Sequence, residues 1–176
     1  MSNQDSSNSI GKVFIWIAWA IAMAVLVYAF QTYLDNQYNP NQDPEYSMNS
    51  RGQAEVVLKQ NRQGHYVTRG FINDYPVTFL LDTGATNVSV PSHIADKIGL
   101  MGQGNYRVQT ANGSIMVSGT MLDSVAIGNI EVFNVDASIN PKMNSDEILL
   151  GMSVLKRVEF TQRGKTLILR SLNNNY

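Results

Sequence analysis

Residues 13–30 read VFIWIAWAIAMAVLVYAF, with no charge and no strongly polar side chain. At about 1.5 Å of rise per residue, a helix of this run nearly crosses a hydrocarbon core of about 30 Å, and residues 31–34 can extend it. A helix apolar on every face would need a large protein around it to be buried in a soluble core. Trp16, Trp19, Tyr28 and Tyr33 include rings able to sit at the two interfaces. The rival reading is a cleaved signal peptide, but the small-x-small pattern Ala22-Met23-Ala24 lies inside the apolar run instead of after it. An uncleaved transmembrane helix over 13–34 is therefore expected. Lys12 flanks its N-terminal end, and Asp35, Asp43 and Glu45 follow the other. Positive-inside reasoning then leaves residues 1–12 in the cytoplasm, with the chain in the inner (cytoplasmic) membrane and its C-terminal part in the periplasm or outside.

The rest of the chain excludes several function classes. Its formal net charge is −1 and its basic residues form no stripe or cluster, so no nucleic-acid partner is expected. Having no cysteine removes disulfides, thiolate catalysis and cysteine-based zinc sites together. With His65 and His93 as the two histidines, a His-rich metal site is not expected either, nor any cofactor. Residues 35–52, DNQYNPNQDPEYSMNSRG, are rich in Asn, Gln, Pro and Ser and read as a flexible tether. The folded domain is expected over 53–176.

Within that domain the pattern is mostly β. AEVVLKQ and HYVTRGFI are β-rich runs separated by the turn-like NRQG; YPVTFLL and NVSV follow. PSHIADKIGL spaces apolar residues at Ile94, Ala95 and Ile98 before Gly99, which predicts one short helix. YRVQT and SIMVSG flank a hairpin tip at Asn112-Gly113. Two further strands are expected around Gly128-Asn129, a buried strand at EILLG, and a final hairpin around Arg163-Gly164. The predicted fold is all-β with one or two short helices, too dense in strands for a doubly wound sheet.

Residues 79–91, FLLDTGATNVSVP, carry the chemistry. An apolar strand stops at an acid, Asp82, and small residues crowd the turn that follows. An Asx turn, with Asp82 accepting backbone N–H bonds, accounts for the acid alone. It does not account for Thr83, Gly84 and Ala85 together. An acid at a strand end, beside a glycine that lets backbone N–H groups approach, is a preorganised carboxylate. Two such acids about 3 Å apart cannot both ionise; they share a proton, so one activates a water while the other polarises a peptide carbonyl. Asp123 in LDSV has Val125 where the glycine would stand, and Asp74, Asp96, Asp136 and Asp146 lack the small flanking pair. The partner acid must then come from a second copy of the chain, with a two-fold axis between two Asp82 side chains.

FLLDTGATNVSVP resembles the active-site loop of retropepsin-like aspartic proteases, and ILLGMSVL, residues 148–155, resembles the second signature of that fold. With TANG, residues 110–113, where this group carries its flap, and with the ending VEFTQRGKTLILR, the chain is most similar to the bacterial, single-pass, membrane-anchored members. The resemblance implies a single-lobe retropepsin-like β-barrel after an N-terminal transmembrane helix. It implies that Asp82 is the catalytic acid and base, that Thr83 donates its hydroxyl across the dimer axis, that the Gly84 N–H faces the carboxylate, and that Ala85 lies near the substrate backbone. Leu149, Leu150 and Gly151 would form the brace strand, and Thr110, Ala111, Asn112 and Gly113 would close over an extended peptide.

The function expected is a membrane-anchored, homodimeric aspartic endopeptidase. Its substrates would be peptides or proteins near the same membrane, its own linker among them, with apolar residues around the cleaved bond. A non-catalytic, membrane-anchored binding or dimerisation module with the same fold is the alternative, and an ordinary β domain with an incidental Asx turn is a third.

Overall fold

The computed structural model describes residues 5–110 and 113–172. The chain divides into two compact units, Met1–Gln37 and Tyr38–Tyr176. The first is helical: α1 spans Asp5–Tyr38, and the most apolar 18-residue window of its segment Gly11–Tyr38 has a mean hydropathy of 2.4, with none of that window buried. A helix this long and apolar meets the length and composition of a membrane span, and an N-terminal signal sequence meets the same test.

The second unit is a β structure in two sheets. β1 (Glu45–Met48), β2 (Ala54–Lys59), β10 (Val158–Arg163) and β11 (Thr166–Ser171) form an antiparallel sheet in the order β1-β2-β11-β10. The larger sheet holds β3 (Val67–Ile72), β4 (Tyr75–Leu81), β5 (Val88–Pro91), β6 (Gln103–Thr110), β7 (Gly113–Ile127), β8 (Ile130–Asn140) and β9 (Glu147–Leu150), in the order β3-β4-β9-β5-β8-β7-β6. Phe71 and Ile72 of β3 also pair with Ala126 and Val125 of β7, which closes all but β6 into a barrel. Phe79, Val88, Val90, Leu122, Val135, Ile148 and Leu150 fill its interior, each fully buried. Two short helices complete the unit, α2 (Ser92–Lys97) and α3 (Met152–Leu155).

Most expected strands appear where alternation and turn residues put them. The β3–β4 turn is Asn73-Asp74, both with positive φ, as a two-residue hairpin of matching twist requires. SIMVSG and the apolar run after it form one strand, β7, because its first half pairs with β6 and its second half with β8. The last hairpin turns at Gly164-Lys165, one residue beyond the expected position, with Arg163 paired to Thr166.

The tether is the main departure. Far from being a free linker, residues 38–48 are tied into the second unit. Asn41 is only 3 % exposed. Its side-chain amide donates to Lys59 O (2.9 Å) and Val67 O (2.7 Å), its Oδ1 accepts from Lys59 N–H (2.6 Å), and its carbonyl accepts from Arg69 N–H (3.2 Å). Asn61 Nδ2 donates to Tyr38 O (3.0 Å), the Tyr38 hydroxyl donates to Glu147 Oε1 (2.8 Å), and β1 pairs with β2. An Asn-rich segment lacks apolar surface to bury, but its amides supply both donors and acceptors to the unpaired backbone between two strands.

Candidate active site

β4 delivers Asp82. Thr78, Phe79, Leu80 and Leu81 pair in parallel with Glu147, Ile148, Leu149 and Leu150 of β9, and the Asp82 N–H donates to Leu150 O at 3.2 Å. The chain then turns on the aspartate itself: Gly84 N–H donates to Asp82 Oδ1 at 2.8 Å and Ala85 N–H to Asp82 O at 3.2 Å. A Cβ on Gly84 would stand 3.1 Å from Asp82 Oδ1, tighter than ordinary contact, so a residue without a side chain suits an amide this close to a carboxylate. Asp82 is half-buried, whereas Thr83, Gly84 and Thr86 are exposed.

The loop is held from behind by the turn after β9. Gly151 is buried, and a Cβ there would collide with the main-chain oxygens of Ala85 and Asn87. Beyond it, Met152 N–H donates to Ala85 O (2.8 Å), Ser153 N–H to Thr86 O (2.9 Å), and Val88 N–H to Ser153 Oγ (3.0 Å). The structure thus brings Asp82, Thr83, Gly84 and Ala85 together with Leu149, Leu150 and Gly151.

The predicted flap is the β6–β7 hairpin. Thr110 pairs with Gly113, and the Thr110 hydroxyl donates to Gly113 O at 2.7 Å. Gly113 has a φ of +107°, a conformation that favours glycine. Ala111 and Asn112 lie outside the described residues. β6 is exposed along most of its length.

Four residues with polar groups join this arrangement beyond the site residues named from the sequence. Ser153 sits within ILLGMSVL, but its bond to Val88 spans 65 residues and depends on how the strands cross. Asn87 and Tyr106 meet at 3.4 Å, amide to hydroxyl, linking the Asp82 loop to β6. Just ahead of the loop, the Tyr66 carbonyl accepts the Leu81 N–H (3.0 Å), while its phenol is buried with no hydrogen-bond partner among the described residues, and that burial pushes its pKa up. No group of three or more His, Cys, Asp or Glu side chains among the described residues could hold a metal ion. A groove of about 700 Å³ runs along the end of β3 and the start of β4, between Tyr46, Phe71 and Tyr75, and no residue of the Asp82 loop lines it.

Residues 68–157, just over half of the chain, match the family described as "gag-polyprotein putative aspartyl protease". The chain belongs to the retropepsin-like aspartic protease family. A solved retropepsin-like aspartic protease from Rickettsia conorii is similar to it at 30 % identity with a TM-score of 0.58, over 72 % of this chain and 96 % of that one. An uncharacterized protein from the cobV 5′ region of a Sinorhizobium species is 38 % identical over 64 % of this chain and 50 % of its own length. An uncharacterized protein of Rickettsia prowazekii is 28 % identical over 86 % of this chain and 68 % of its own length. The chain thus spans half the length of the first of these curated relatives. The all-β, retropepsin-like architecture expected from the sequence is the observed one, with β4, β9 and the Asp82 turn falling inside the matched residues.

Proposed function

We propose that this chain is an aspartic endopeptidase, held in a membrane by residues 13–34 and active as a homodimer that contributes one Asp82 from each copy. The observation that carries the reading is the state of that carboxylate. It stands at a strand end with one oxygen fixed by the Gly84 amide, in a loop pinned by Gly151 and Ser153, and Thr83 and Gly84 are exposed for a second copy to meet. The chain has one Asp-Thr-Gly, so a pair of such acids requires two chains.

In the dimer, the two Asp82 carboxylates share one proton. The ionised one takes a proton from a water as it attacks the peptide carbonyl, and the protonated one stabilises the oxygen of the tetrahedral intermediate. Thr83 holds the two loops in register across the axis, and Ala85 lies beside the substrate backbone. The hairpin ending at Thr110, Ala111, Asn112 and Gly113 closes over an extended peptide, adding strand-like hydrogen bonds. Leu149, Leu150 and Gly151 brace the floor. No metal or cofactor enters this chemistry. Confinement to a membrane raises the effective concentration of second copies and of substrates near the same surface. The basic flank at Lys12 favours the inner membrane, with the protease unit in the periplasm or outside.

The test is digestion of a proteome-derived peptide library by the full chain in detergent micelles, with and without an aspartic-protease inhibitor. Asp82→Asn is expected to lower the rate by about 10²–10⁴-fold while the protein stays folded. The rate should follow a bell centred at mildly acidic pH, where the pair of carboxylates holds one proton. A rate climbing steadily through about pH 9 would contradict a shared-proton dyad. Undiminished cleavage by Asp82→Asn would remove the enzyme reading, and no cleavage by the wild type under any condition would leave a non-catalytic module with this fold.

A further inference from the structure

We infer that the Asn87 side-chain amide and the Tyr106 hydroxyl form a latch that holds the β6–β7 flap against the Asp82 loop, making both residues positioning residues for the bound peptide. The inference rests on the protease reading and extends it to how the cleft closes.

The two partners stand on structures of opposite character. Asn87 is on rigid ground. The carbonyl of Thr86 before it accepts Ser153 N–H (2.9 Å), the N–H of Val88 after it donates to Ser153 Oγ (3.0 Å), and its own carbonyl lies where a side chain on Gly151 would have to go. Tyr106 is on the exposed strand β6, four residues before the end of the flap strand at Thr110. Its ring lies over Gly119 of the facing strand, where a Cβ would stand 3.5 Å from the ring edge. Its strand neighbour in register, Val117, is 2 % exposed. The ring is therefore seated at the root of the flap while its hydroxyl reaches the loop that carries Asp82. At 3.4 Å and open to water, the bond is long and weak, as a contact that must break each time a peptide enters or leaves should be. Holding the flap before the peptide arrives removes part of the ordering cost of binding. That gain is the same for bound substrate and transition state, so it falls on KM and not on kcat.

The experiment is a double-mutant cycle on the full chain in micelles with Tyr106→Phe, Asn87→Ala and the pair, adding Asn87→Asp as a variant whose carboxylate can accept from the Tyr106 hydroxyl in place of the amide that now donates to it. Two readouts are taken: peptide hydrolysis, and amide hydrogen exchange over 113–119. Each single variant is expected to raise KM about 3–10-fold with kcat within about twofold, and to speed flap exchange by a similar factor. The pair should do no more than either alone, and Asn87→Asp should keep near wild-type values. Additive effects, unchanged exchange in both singles, or a fall in kcat at constant KM would each overturn the latch. If the wild type hydrolyses no peptide, the protease reading fails by itself, and the exchange cycle still decides whether Asn87 and Tyr106 hold the flap.

Discussion

Gly151 has no room for a side chain, because the main-chain oxygens of Ala85 and Asn87 occupy the space a Cβ would need. That single missing atom lets the turn after β9 lie directly under the Asp82 loop and donate two N–H groups to it, so the carboxylate is fixed by backbone instead of by flexible side chains. Tyr66 is the opposite case, a large residue placed at some cost. Its ring belongs to the core, yet its hydroxyl is buried without a partner among the described residues. Tyr66→Phe removes the orphan and should leave stability unchanged or raise it by about 1 kcal/mol, read as a shift in the urea midpoint at neutral pH. The phenol also sets an alkaline limit. Its folded pKa lies above the ordinary value near 10, so below about pH 10 both states keep the proton and the full stability is present. Above that, the unfolded chain ionises first and stability is lost as pH rises through the folded pKa. Tyr66→Phe should flatten this alkaline loss; an identical pH–stability curve in the two proteins would show that the phenol does not titrate as its burial requires.

Among the elements, residues 38–41 and β1 change the picture of the molecule most. They bond to β2 and β3 and, through Tyr38 and Glu147, to the first residue of β9. Asn41→Ala would leave the main-chain groups of Lys59 and Val67 without partners in a buried site, so a loss of about 2–4 kcal/mol is expected in chemical unfolding. A chain shortened to begin at Gln53 should be destabilised at least as much, and one beginning at Tyr38 should not. Equal stability of the two shortened chains would mean that this segment only rests on the surface. The same pairing bears on self-cleavage: a peptide must be extended and free to enter a cleft, and residues 38–48 are neither free nor detached while the unit is folded. The turn at 50–52 is exposed and lies outside the strand pairing.

At the scale of the whole molecule, the sheet β1-β2-β11-β10 is completed within one chain. If each active centre takes one acid from each copy, mixing wild-type chains with an equal amount of Asp82→Asn chains should give wild-type pairs in only about a quarter of the dimers. The specific activity per wild-type chain should then fall by about half once subunits have exchanged. Activity that stays proportional to the wild-type chains, however much of the variant is added, would mean that one chain is sufficient.

Much of this was legible in the residues. The uncharged run at 13–30 dictates a long helix with no polar face, because nothing in it could meet water. The alternation in the second unit dictates strands, and the small residues after Asp82 dictate a turn that bares its amides to a carboxylate. These are local properties, set by side-chain chemistry over a few positions. What the sequence could not announce was contact between distant segments: Ser153 reaching Val88, Tyr106 reaching Asn87, and Asn41 filling the gap between β2 and β3. A polar residue becomes a strut only when folding leaves an unpaired backbone group or a hydroxyl opposite it, and that depends on how the barrel closes. The tertiary structure alone decided that a stretch composed like a tether is part of the fold.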